Sequence, residues 1–359
     1  MAPPESMTGR ASGGLSRWAG WLHRYFLPLL LATYALAGIL PAPGSIIREF
    51  TVDLPGGARE RASMLLLAVL LFCAAAVIQW SQVRDLLERP SVLLLGLLTA
   101  WLGPALVVVA SSTLLPWLAM NDTTAGMMVG FTLVAAMPVA NSSAGWTQNA
   151  GGNIALSLSL VIVSILLSPL ATPNLLKLMG LVLSPADTLR IERVVTQFSG
   201  WRFILWVILP SIAGAATAWF AGHRRITHAK PVFRIVSLAT ILVLNYANAS
   251  LAIDKVWISE SVGVIALAAA IAAAVSIVGI LLATMQARLF GLSRASWIAL
   301  AFGLSMKHTG LALVIAGEFL RDQPRVILIV LLTTVAQHVA AAVVDLWVQR
   351  ERLAVASAP

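Results

Sequence analysis

The chain has 359 residues, of which 59% are hydrophobic and 11% charged, where a soluble domain carries roughly 25% charge. This balance excludes a soluble globular protein, and several apolar runs reach the ~20 residues needed to cross a bilayer. The net charge of +9 does not point to nucleic acid, because the basic residues stand in short loops between apolar runs, where they serve cytoplasmic loops and lipid headgroups. The one cysteine, Cys73, excludes an intrachain disulfide and a cysteine-clustered metal site.

Residues 1–24 are polar, with Arg10, Arg17 and Arg24, and lack the pattern of a signal peptide. They read as a cytoplasmic tail with Trp18, Trp21 and Tyr25 near the headgroups. A first span covers 26–40 and stops at Pro41, and a loop of both charge signs runs to Arg61. A second span covers 62–80, followed by a charged turn with Arg84, Asp85, Glu88 and Arg89. The third covers 91–112, with Pro104 predicting a kink. Asn121 and Asp122 mark a turn, and a fourth segment runs over 123–149. The fifth, 153–176, carries Ser157, Ser164 and Ser168 on one helical face. A polar connector, 177–200, links the two halves. The sixth span covers 201–221, and a basic loop holds Arg224, Arg225, Lys230 and Arg234. The seventh ends near Leu251 and includes Asn245 and Asn248. After a loop with Asp254, Lys255 and Glu260, the eighth covers 262–285, the ninth 295–319 and the tenth 326–348, and residues 350–359 form a C-terminal tail. An even number of spans puts both termini on one side. The basic bias, modest in size, favours the cytoplasm of a bacterial inner membrane.

The fourth and ninth segments are not ordinary spanning helices. In the fourth, Pro138 ends an apolar run and is followed by Asn141, Ser142, Ser143, Thr147, Gln148 and Asn149. In the ninth, Ser305, Lys307, His308 and Thr309 lie between Gly303 and Gly310. Backbone groups freed at membrane depth must be satisfied by protein, water or ligand. Two interrupted segments, one per half, point to an inverted-repeat transporter with its site at the midplane. A lysine in mid-membrane costs about 2.5–3.5 kcal/mol, and an intramembrane ionisable residue is a functional candidate by default.

The block PVANSSAGWTQNAGGNIALSLSLVIVSILLSPL (138–170), with SMKHTGLA (305–312) and RPSVLLLG (89–96), resembles the bile acid:sodium symporter family. The resemblance implies an all-α integral membrane fold of ten helices in two inverted five-helix repeats, 25–176 and 201–349. It also implies a panel of helices one, two, six and seven, and a core in which segments four and nine cross. Laid on this sequence, one sodium site of the family would use Ser143, Ala144, Ser157, Val161 and Gly303. The other would use Gly303, Ala100 and Lys307. Ser143 and Ser157 alone keep a side-chain ligand. The family has Asn, Thr and Glu where this chain has Ala144, Val161 and Gly303, and Gln where it has Ala100 and Lys307.

The residues therefore predict a secondary transporter of an organic anion, and the resemblance implies a bile-acid-like steroid, pantoate or another small carboxylate as the candidates. Asn141, Ser142, Ser143, Lys307, His308 and Thr309 are the expected substrate contacts, because half-helix N-termini favour an anion. A charged Lys307 would repel a sodium ion ~4 Å away by several kcal/mol at a protein-like dielectric. Lys307 is thus expected to stand in for the bound cation, with Lys307, His308 and His338 available to carry a proton. No bound cofactor is expected. The alternatives are an ordinary sodium-coupled symporter, a non-transporting membrane sensor and an intramembrane enzyme. No HExxH or deeply placed pair of aspartates supports the enzyme, and the cysteine that an arsenite exporter would want in segment four is missing.

Overall fold

The structure is a computed structural model that describes residues 7–53, 59–77, 90–117, 126–197 and 201–356. The turns expected at Arg84–Arg89 and at Asn121–Asp122 lie outside the described residues.

The polar N-terminal segment is a helix, α1 (Met7–Arg24), where the composition suggested a tail. Its charges and aromatics are spaced so that it is amphipathic, with Ala19 buried and Trp18 exposed. It bends by 64° into α2 (Phe26–Ile39). Pro41 stops α2 and opens the short α3 (Pro41–Glu49), since proline suits a first helical turn whose N–H groups are unbonded. Strands β1 (Thr51–Asp53) and β2 (Arg59–Arg61) then pair antiparallel, Val52 opposite Glu60. The expected loop therefore holds a helix and a hairpin.

The remaining helices are α4 (Ala62–Ala76), α5 (Pro90–Trp117), α6 (Met127–Ala136), α7 (Ser142–Asn149), α8 (Ile154–Gly180) and α9 (Pro185–Gln197). A turn of helix, Trp201–Phe203, leads into α10 (Ile204–Gly222), which is π-helical over Ile204–Ile208. Next come α11 (Arg225–Ile253), α12 (Val262–Leu289), α13 (Arg294–Ser305), α14 (Thr309–Phe319) and α15 (Pro324–Ala356). The basic segment expected as a loop is the first part of α11. The break from α10 is confined to Gly222, whose φ of 77° is open to glycine and strained for other residues. Helix also continues through Asp254 and Lys255 to Ser259, which corrects the loop expected there.

Among the described residues, six helices are long and apolar enough to cross a membrane, or seven if the bent α1–α2 pair is one span. Helices α4, α6 and α14 are apolar but shorter. The all-helical membrane architecture stands. Outward-facing apolar side chains such as Leu94, Leu106 and Phe220 are exposed, as lipid contacts require.

Helices α2, α3 and α4 pack on the α10–α11 run. Helices α5, α6, α8, α12, α13 and α15 pack among themselves. Three of the four half-helices are the most enclosed parts: every residue of α6 is buried, as is each residue of α13 from Trp297 and of α14 to Gly317. The fourth, α7, buries Ser143 and Thr147 and exposes Gln148 and Asn149 at its end.

Candidate functional site

Between α6 and α7, residues Met137 to Asn141 leave the helix. Met137 is extended (φ −69°, ψ 152°), as a residue before proline tends to be. Between α13 and α14 residues Met306 to His308 leave the helix, with Met306 extended (φ −118°, ψ 121°). The two breaks cross and bond to each other as a minimal antiparallel bridge, Val139 opposite Lys307. Ala140 N–H donates to Met306 O at 3.1 Å, and His308 N–H donates to Pro138 O at 2.9 Å. Part of the backbone freed by each break is thus satisfied by the other.

Neighbouring helices satisfy more of it. Ser164 Oγ on α8 accepts from Val139 N–H at 3.0 Å, and Thr172 Oγ1 donates to Ala136 O at 2.9 Å. From α15, Gln337 Oε1 accepts from Lys307 N–H at 2.9 Å. Lys307 Nζ itself donates to Met137 O at 3.1 Å, at the C-terminal end of α6. That end carries unpaired carbonyls and the negative end of the helix dipole, so it is where a cation is most stabilised.

The N-terminal ends of α7 and α14 meet at a small polar cavity of about 30 Å³, the scale of a water molecule. Asn141 and Ser142 come from the first end, and His308, Thr309 and Gly310 from the second; Lys307, Gln337 and His338 complete the polar wall. Lys307 is 1% exposed. His308 caps α14: its Nδ1 accepts from Leu311 N–H at 3.1 Å. The neutral ring therefore carries its proton on Nε2, which faces the Asn141 amide at 3.4 Å. The Asn141 Oδ1 lacks a partner. The orientation that satisfies both turns this oxygen towards Nε2–H. His338 is arranged differently. Its Nδ1–H donates to Thr334 O at 2.7 Å, and its Nε2 is buried with no partner. The cavity lining thus includes the nitrogen donors of Asn141, Lys307, His308 and Gln337 together with a histidine, His338, whose Nε2 is free to accept.

Ser143 lies apart from the cavity lining. It is fully buried, with an unpartnered Oγ. Ser157 accepts from Thr147 Oγ1 at 3.1 Å. Asn245 and Asn248 also lie outside the lining. Asn245 is bonded to Tyr34 OH and Ile241 O, and Asn248 backs onto Gly317 of α14. Gln337 and Thr334 join the site without a sequence signal beyond their place in an apolar span; their spacing from His338 on one helix is the clue available. At Gly303, an added Cβ would lie 2.9 Å from Leu160 Cδ1, so a methyl group fills the space next to that backbone. No group of three or more His, Cys, Asp or Glu side chains gathers among the described residues.

Asn141 also borders a second, larger cavity of about 400 Å³. Its walls are almost wholly apolar, with Ala74 and Ala75 from α4, Ile165 from α8 and Ala215 and Trp219 from α10. A small polar cavity at the crossing thus adjoins an apolar one between helix groups, with one amide on both walls.

The chain is 24% identical over 266 residues to an uncharacterized sodium-dependent transporter, YocS, of Bacillus subtilis (strain 168), covering 70% of this chain and 72% of that protein. The sequence profile of the sodium bile acid symporter family matches residues 64–259. That match spans more than half of the chain, which therefore belongs to the sodium bile acid symporter family, a family of membrane transporters and not of enzymes.

Proposed function

We propose that the protein carries a small organic anion across the membrane by alternating access, without a bound sodium ion, and that the Lys307 ammonium takes the cation's place. One observation carries this reading. The positive ends of two half-helices, α7 and α14, converge on a polar cavity, while Lys307 Nζ already sits on the carbonyl end of a third, α6. Half-helix N-termini serve anionic substrate groups in broken-helix transporters, and half-helix C-termini serve the coupling cation. Here the second role is filled covalently.

In this reading the shorter α4 and the two broken pairs complete ten crossings in two inverted five-helix repeats, 25–176 and 201–349. The α2–α4–α10–α11 group is the panel that rocks against the rest. Asn141, Ser142 and Thr309 hold the anionic group with Lys307 and His308, and the apolar cavity takes the body of the substrate, a steroid or smaller carboxylate. Both termini face the cytoplasm of the inner membrane. The proton partner is His338, whose Nε2 lone pair is free. His308 would have to release Leu311 N–H to accept a proton at Nδ1.

The second reading is ordinary sodium coupling, favoured by the unpartnered, fully buried Ser143 Oγ. Sodium prefers several hard oxygens with a carboxylate. Thr147 and Ser157 add hydroxyls, but Ala144, Val161 and Gly303 add no side-chain oxygen. Uptake of labelled cholate and pantoate into proteoliposomes separates the readings. A proton gradient in potassium buffer is expected to drive uptake. Uptake that occurs under a sodium gradient alone would restore the symporter mechanism.

A further inference from the structure

A second cluster of charge lies at the other end of α4 from the apolar cavity, about 17 Å along the helix. There Glu318, at the end of α14, accepts from Arg61 Nη1 through Oε2 at 2.7 Å and from Ser63 Oγ through Oε1 at 2.6 Å. Both oxygens of this mostly buried carboxylate are engaged. Arg48, in the last turn of α3, is 8% exposed, and its Nε and Nη1 are buried with no acceptor among the described residues. Arg321 follows α14 and makes one long contact, 3.9 Å, with the exposed Glu49. Burial, and then the neighbouring Arg321, pull the Arg48 guanidinium below its ordinary pKa. Arginine nonetheless stays charged in proteins, so it cannot shed the proton as a buried lysine can. The guanidiniums of Arg48, Arg61 and Arg321 stand against the carboxylates of Glu49 and Glu318, and Glu318 is already engaged through both oxygens. A buried cation left this way is costly unless an anion pairs with it.

We propose that Arg48 and Arg321 form a second oxyanion site, which takes the carboxylate of the transported anion at this end of the protein, before or after its passage through the crossing. The identity of the anion rests on the transport reading above; the presence of the site does not. A guanidinium offers planar N–H donors matched to a carboxylate, and α3 holds Arg48 rigidly: Gly44 packs so closely on α11 that an added Cβ would strike Ser250.

Thermal unfolding of the purified full-length protein tests this, with potassium acetate or potassium phosphate titrated against potassium chloride at constant ionic strength. The expected result is a saturable rise in Tm with acetate that survives in Lys307→Gln. In Arg48→Gln the acetate midpoint should weaken at least about tenfold, and in Arg321→Gln several-fold; the latter carries the test if Arg48→Gln does not fold. An unchanged midpoint in both arginine variants would overturn the site. So would complete loss of the response in Lys307→Gln with the arginine variants unaffected, a result that would leave the crossing-site reading intact. A response to phosphate without one to acetate would overturn the carboxylate assignment.

Discussion

The two breaks are built on one backbone plan and carry different chemistry. In each, a buried half-helix gives way to a few extended residues, and the two extended pieces bond to each other at Val139 and Lys307. The first break is made by Pro138 and contributes neutral groups; its loose backbone is held from α8, by Ser164 and Thr172. The second has no proline. It is held from α15 by Gln337, and it supplies the charged and titratable groups, Lys307 and His308. One break is a scaffold and the other bears the charge. The lysine of the second also satisfies the carbonyl end of the first. The difference shows how a broken helix can bring its own cation to a carbonyl end instead of recruiting one from solution.

The largest expected effect comes from breaking that division at its charged member. Lys307→Met should abolish anion uptake in proteoliposomes, and by stripping Met137 O of its donor should also lower stability by about 1–3 kcal/mol, read by thermal unfolding. Gln337→Leu keeps the charge but leaves Lys307 N–H buried without an acceptor. It should cost a similar 1–3 kcal/mol, roughly, and weaken anion binding in titration calorimetry by loosening the bridge. On the scaffold side, Ser164→Ala exposes the mirror-image debt at Val139 N–H. It should cost about 1–2 kcal/mol with little change in binding, and equal damage to binding would contradict the scaffold assignment.

His338→Gln gives up the buried Nδ1–H bond to Thr334 O, so it should cost about 0.5–1.5 kcal/mol, while Nε2 has no partner to lose. It should flatten the dependence of uptake on pH. Retention of the full pH profile would move the proton elsewhere. The smallest effect belongs to Ser143→Ala. Its hydroxyl bonds nothing, so stability should change by less than about 0.5 kcal/mol and uptake should keep the same indifference to sodium.

The sequence made the two breaks legible because proline, amide and hydroxyl side chains inside apolar runs have few innocent explanations at membrane depth. Lys307 was conspicuous for the same reason. The partners that hold the breaks were not. Ser164 shows in the sequence as one serine of a helical face, yet it is the acceptor for Val139 N–H; Gln337, the acceptor for Lys307 N–H, carries no signal beyond its place in an apolar span. Their roles arise from contacts between segments far apart in the chain, which no local pattern encodes. Elsewhere, polarity was mistaken for irregularity. Helix α1 and the start of α11 are rich in arginine, but surface helices tolerate charge, and α11 runs on through Pro231 near its start. The buried Arg48 was hidden in a loop of mixed charge, since burial there depends on α3 folding against α11.

The most direct test of the central claim is the thermal shift induced by a carboxylate panel, measured in sodium and in potassium buffers for wild type and Lys307→Gln. If the ammonium has replaced the coupling cation, the anion that stabilises wild type will do so equally in both buffers. The part of the shift that belongs to the crossing will then vanish in Lys307→Gln. A wild-type shift that appears in sodium alone, and is unchanged in Lys307→Gln, would contradict the account.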